Sequence, residues 1–216
     1  MGRDNHPRVR QQRKLARKKA SRADYDRILI VCEGGKTEPQ YFDEIRQFYR
    51  LHTANVRVLP GAYGTAPQQV VDFARDECRK TRKWEKVYCV FDRDDHLNFN
   101  NALQSAAATD KKIKNDINKS IRFRAIKSIP CFELWLLLHF EYVSREIHRD
   151  EVRHLLRQQD RLPNYEKGQG GHFELTRHLL ETAYQNADRL KEEQRRHGRE
   201  NPFTDVDMLV KELIRL

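Results

Sequence analysis

Three short apolar runs in this chain stop at segments that carry carboxylates. RILIVC leads into Glu33-Gly34-Gly35-Lys36-Thr37-Glu38, KVYCVF into Asp92-Arg93-Asp94-Asp95, and IRFRAIKS into Pro130 and Glu133. Asp92 and Asp94 are two residues apart, so on an extended strand they point to the same side. With Glu33 at the end of a neighbouring strand, three carboxylates would converge on one cleft. They repel one another unless a cation stands between them. A hard divalent ion, Mg2+ above all or Mn2+, is what an all-oxygen set holds. Zinc is disfavoured, because no His or Cys pattern accompanies the acids. The nine histidines show no H-x-x-x-H or H-x-x-E-H spacing.

The neighbouring residues divide between chemistry and structure. Lys36 follows the double glycine and could meet a phosphate, as could Lys127 and Lys167. Glu133 could join the site or act as a helix-dipole partner. Asp95 and Thr37 read as turn and cap residues, His139 as a hydrogen-bonded core histidine, and Trp84 and Trp135 as packing. Gly35-Lys36-Thr37 after a buried strand resembles the end of a P-loop. That motif needs a glycine at position 30, where the chain has Ile30. Without it there is no loop of backbone N–H groups to wrap a phosphate.

The elements that must position these residues alternate. Strands are expected over 27–32, over NVRVLPG, over KVYCVFDRDD and over IRFRAIKS. Helices are expected over 38–50, with Tyr41, Phe42, Ile45 and Phe48 on one face, over 66–82, and over 98–118. Thr37 with Gln40 and Thr65 with Gln68 have capping-box spacing. Pro130 opens an apolar helix, CFELWLLLHFEYV. This βαβαβαβα order predicts an α/β, doubly wound, mostly parallel four-stranded sheet. Ligands in such sheets bind beyond the carboxyl ends of the strands, where the strand order reverses. Residues 144–216 look all-helical, with helices near 149–159, 172–196 and 205–216. The last has Thr204 and Asp207 as a cap pair and Val206, Leu209, Val210, Leu213 and Ile214 as its buried stripe. The chain therefore divides into an arm (1–22), an α/β core (23–143) and a helical extension docked on it (144–216).

The 216 residues are 38% hydrophobic and 34% charged, polar for a globular protein but too rich in aliphatic residues to be disordered throughout. The net charge of +10 is concentrated in the arm. There Arg3, Arg8, Arg10, Arg13, Lys14, Arg17, Lys18, Lys19 and Arg22 face Asp4 alone. A cationic arm on a nearly neutral body suits nucleic acid, because each neutralised phosphate releases counterions. No apolar run reaches the length of a membrane span, and the N-terminus has no apolar signal region. Cys32, Cys78, Cys89 and Cys131 show no C-x-x-C spacing and read as buried thiols of a reducing, cytoplasmic setting.

An acidic residue ending the first strand, a D-x-D after the third, and a small βα sandwich resemble the Toprim fold of topoisomerases, primases and certain nucleases. More specifically, the chain resembles the RloB family over VCEGGKTEPQYF (31–42), VFDRDDH (90–96), IPCFELWLLLHFE (129–141), YEKG (165–168) and NPFTDVDMLVKEL (201–213). The resemblance implies a Toprim-like, Mg2+-dependent nuclease in anti-phage defence, associated with restriction–modification loci and a co-encoded partner. Glu33, Asp92 and Asp94 would lie at its centre, with Lys36 and Glu133 as further catalytic candidates. RNA or DNA would be held by Arg8, Arg10, Arg13, Lys14, Arg17, Lys18, Lys19, Lys127 and Lys167. Two alternatives remain: a non-catalytic module that binds nucleic acid or a partner protein, and a primase-like nucleotidyl transferase, which no nucleotide-binding signature supports.

Overall fold

The computed structural model describes residues 26–53, 55–60, 66–93 and 98–216. The basic arm and Asp94 and Asp95 lie outside these residues. Four parallel strands form where the β-branched runs predict them: β1 (Ile28–Cys32), β2 (Val56–Leu59), β3 (Lys86–Asp92) and β4 (Arg122–Ile129). The sheet has five strands rather than four. Phe203–Thr204 (β5) pairs antiparallel with Ser128–Ile129, giving the order β2-β1-β3-β4-β5. Two residues are too few to show a strand period, so the sequence reads this stretch as part of a helical region. That region is therefore not all-helical.

The crossover helices are α1 (Thr37–Phe48), α2 (Pro67–Thr81) and α3 (Phe99–Thr109). The third is shorter than the 98–118 expected. Lys111 and Asn118 adopt positive φ, and the Asn115 side chain accepts hydrogen bonds from the Ile117 and Lys119 amides, so the chain turns here. After Pro130 only Glu133–Leu137 is helical (α4). Leu134 to Leu138 are all fully buried, so the segment has no solvent face to give it helical periodicity. Then follow α5 (Arg149–Leu156), α6 (His172–Thr176), a 3-10 turn (Arg177–Leu179), α7 (Leu180–His197) and α8 (Val206–Ile214). The single helix expected over 172–196 is thus three pieces.

Alternation along the strands divides the core in two. Ile28, Ile30, Cys32, Tyr88, Val90 and Ile126 face α1, α4 and the C-terminal helices. Leu29, Val31, Val87, Cys89, Phe91 and Phe123 face α2 and α3. Leu190, Val206, Leu209, Val210 and Leu213 belong to the same cluster as β1, so residues 144–216 share a core with the sheet. Phe48, placed on the buried face by its spacing, is instead 46% exposed and lies beneath Arg177, 4.8 Å from the ring centre. The four thiols are free and buried. Among the described residues no helix is long and apolar enough to cross a membrane.

Candidate active site

The strand order makes β1 the pivot. The chain steps from β1 outward to β2, then returns to place β3 on the other side. The crevice between the carboxyl ends of β1 and β3 is the topological switch point, where open α/β sheets take ligands. Glu33 and Asp92 stand there. The Glu33 amide extends the ladder by donating to the Val90 carbonyl at 2.8 Å, and the Asp92 amide donates to Glu33 Oε2 at 3.0 Å. The Glu33 carboxylate is therefore aimed across the switch point at the end of β3. Asp94, the third acid of the predicted set, lies outside the described residues. Among those described, no group of three or more His, Cys, Asp or Glu side chains is arranged to hold a metal.

The turn after β1 brings a further acid into this region. Glu38, in the first turn of α1, is 7% exposed, and a Cβ on Gly34 would fall 2.0 Å from its Oε2. Gly34 is thus a spatial requirement of the Glu38 carboxylate. Burial pushes the Cys32 thiol up, and Glu38, Asp43 and Asp92 push it further. Burial likewise raises the Cys131 thiol, with Glu133 and Asp92 adding to it. These acids act on two thiols at the same end of the sheet. The sequence does not single out Glu38, because no local pattern shows its approach to Gly34.

Thr37 does not cap α1. Its hydroxyl accepts from the Gly168 amide at 2.9 Å, and the N-cap residue is Lys36, without a side-chain cap bond. This contact docks the 165–168 loop onto the α1 N-terminus. Gly168 has φ +84°, and a Cβ there would lie 2.8 Å from Lys36 Cδ. Lys36 and Lys167, far apart in sequence, are thereby brought to one exposed rim beside the Glu33 turn. Lys127 is elsewhere. It sits on the α2–α3 face of β4, with its ammonium 4.4 Å from the centre of the Phe203 ring, and helps seat β5.

Glu133 is buried to 2% exposure. Its Oε1 accepts from Tyr165 Oη at 3.0 Å and from Arg153 Nε at 3.2 Å. Burial opposes its charge, yet the Arg153 guanidinium, backbone hydrogen bonding and Cys131 together hold the carboxyl below its ordinary range. It ties α4 to α5 and to the 165–168 loop. The remaining minor expectations divide. His139 is a core residue with Nδ1 2.9 Å from the Trp135 carbonyl, and Trp135 Nε1 donates to Tyr41 Oη at 2.8 Å. Thr65 lies outside the described residues, and the α2 start is held by the Ala66 amide donating to Gln69 Oε1 at 3.2 Å. Thr204 bonds the Val206 amide at 3.2 Å and the Ser128 hydroxyl at 3.2 Å, while the N-cap residue of α8 is Asp205.

Beside Asp92, a cleft of about 240 Å3 is lined by Arg93, Pro130, His148, Arg149 and Asn201 among others. Arg93 bonds Glu200 at 2.7 Å, and Asn201 Nδ2 donates to the Ile147 carbonyl at 3.0 Å. Four separate segments supply them, so apart from Pro130 the sequence does not single these residues out.

The fold and this crevice define an α/β protein with an acidic pair at the switch point of a mostly parallel sheet. The family described as RloB-like protein matches residues 28–213, and the chain belongs to that family. No curated protein and no solved structure matches the chain.

Proposed function

We propose that the protein is a Mg2+-dependent, or Mn2+-dependent, nuclease of Toprim-like type. It hydrolyses phosphodiester bonds in RNA or DNA and serves anti-phage defence with a co-encoded restriction–modification or defence protein. The observation that carries this reading is the hydrogen bond from the Asp92 amide to Glu33 Oε2, which brings the Glu33 carboxylate onto the backbone of Asp92 at the switch point. Mg2+ is commonly held by one or two carboxylates with waters and substrate phosphates completing the shell, so the donor set fits. When bound, the ion polarises a phosphoryl oxygen and lowers the pKa of water. Asp92 would hold it, with Asp94 as a further donor. Glu33 acts as a further ligand or as the proton acceptor for the attacking water. Lys36 and Lys167, on one rim beside the Glu33 turn, face the charge that builds on the phosphoryl oxygens. The defence setting rests on the family.

Glu33→Gln tests this reading, because the amide oxygen can still accept from the Asp92 amide while the charge is gone. Cleavage of tRNA, single-stranded DNA or plasmid in Mg2+ or Mn2+ should fall by roughly 10² to 10⁴, with substrate binding unchanged or tighter. A variant that cuts as fast as the parent removes Glu33 from the chemistry. A parent protein inert on every substrate and with either ion, even with its co-encoded partner present, would favour the non-catalytic module.

A further inference from the structure

The edge of the sheet opposite the acidic pair carries a second feature. Helices α2 and α3 run back from the carboxyl ends of β2 and β3, so their C-termini reach the amino edge of the strands. Between them lies a groove of about 560 Å3 lined by Arg75, Arg79, Arg82, Lys112 and Lys114, with no carboxylate among its lining residues. Arg75 bonds Asp72 at 2.5 Å, and Arg79 lies 3.9 Å from Asp76. Both are i,i+3 pairs; the Arg79 pair is solvent-facing and contributes little, whereas Arg75 is partly buried. Arg75 Nε is buried without an acceptor. Neither Lys112 nor Lys114 has an ion-pair partner among the described residues.

Helix dipoles do not account for this charge. The last turn of α3 contains no basic residue, and both lysines come from the turn that follows it. Arg82 holds the C-cap of α2 at φ 50°, a left-handed position where glycine is the low-cost residue. Its guanidinium reaches the Lys114 and Asn115 carbonyls at 3.4 Å, which fixes it in the groove wall. Two acids near the groove are paired with another arginine. Arg27 binds Glu85 at 2.9 Å and Asp116 at 2.6 Å, and the Asp116 amide donates to the Arg82 carbonyl.

We propose that this groove is a second nucleic-acid contact surface, which binds the phosphodiester backbone without reading bases and lies on the opposite edge of the sheet from Glu33 and Asp92. The proposal rests on the nucleic-acid half of the function above and not on cleavage. Clustered cations are the electrostatic footprint of phosphate binding, and such contacts set the position of a strand rather than its sequence preference.

The test uses the full chain in EDTA, where binding is separated from cleavage, and follows anisotropy of a short DNA duplex and of a single-stranded RNA through a salt series. Lys112→Gln with Lys114→Gln should flatten the log–log salt slope by about two contacts and weaken binding roughly tenfold at moderate salt, with Tm unchanged. Arg82→Gly keeps the left-handed cap and should flatten the slope by about one contact. The probe that loses more affinity identifies the source of the phosphates. Unchanged slopes in both variants with both probes overturn the proposal. So does a loss of binding to phosphatidylserine vesicles with nucleic-acid binding intact, which would make the groove a membrane surface. A parent protein that cleaves nothing but shows a groove-dependent slope upholds the groove while the nuclease reading fails. Loss of cleavage in Glu33→Gln with unchanged slopes in the groove variants sinks the groove alone.

Discussion

At the scale of single residues, the acids of this chain have separated roles. Glu33 and Asp92 end adjacent parallel strands and meet through one amide hydrogen bond. Glu133, similar in sequence context, is enclosed by Arg153 and Tyr165 and works as a tie between segments. Its carboxyl is held below the ordinary 4.5, so its contribution to stability is present above that pH and is lost as the pH falls through the depressed folded value. Glu133→Gln should therefore cost about 3 kcal/mol at neutral pH, the lower end for breaking a buried pair, because Arg153 keeps some solvent contact. Urea denaturation of parent and variant should show this gap shrinking on acidification below the ordinary carboxyl range. His139, held near 4 by burial, adds acid sensitivity to both proteins and cancels in the difference. A gap that stays constant down to the acid limit would mean that Glu133 is not ionised in the folded state.

At the scale of elements, the C-terminal β5–α8 unit completes the sheet rather than decorating it. β5 covers the outer edge of β4, and the buried Ser128 and Thr204 hydroxyls meet at 3.2 Å. Val206, Leu209, Val210 and Leu213 are fully buried in the cluster that contains β1, and Asp207 pairs with Lys191 and Lys211. Burial of four such side chains is worth on the order of 8 kcal/mol, comparable with the entire stability of a domain. Removal of residues 203–216 should therefore abolish the cooperative thermal transition, as followed by circular dichroism. A truncated protein that melts sharply near the parent temperature would show that the extension is only peripheral.

At the scale of the whole molecule, charge is distributed by location. The acidic pair lies at the carboxyl edge of the sheet, and the cationic groove lies at the opposite edge. The arm supplies nine of the forty-two basic residues of the chain. Its deletion (residues 1–22) should weaken nucleic-acid binding and flatten the salt slope by up to about nine contacts, while leaving the unfolding transition intact, because it has little apolar surface. Equal salt slopes in full-length and shortened protein would exclude the arm from the electrostatic footprint.

The sequence by itself determined the alternation of strands and helices, because each β-branched run is short, apolar and bounded by turn residues, and that pattern is local. It determined that Glu33 and Asp92 follow buried strands, since the change from apolar to acidic is abrupt in both. Only the tertiary structure decided that β1 and β3 are neighbours, which is what turns two separate acids into a pair. Strand order depends on which edges meet across loops, and no local period encodes it. The same holds for Thr37 with Gly168, for Glu133 with Arg153 and for β5 on β4, contacts that join residues well separated along the chain. The cationic groove is the clearest case. Its arginines and lysines belong to two helices and the segments that follow them, each unremarkable along the chain. Their summed field exists only because both helices cross the same face of the sheet and end side by side.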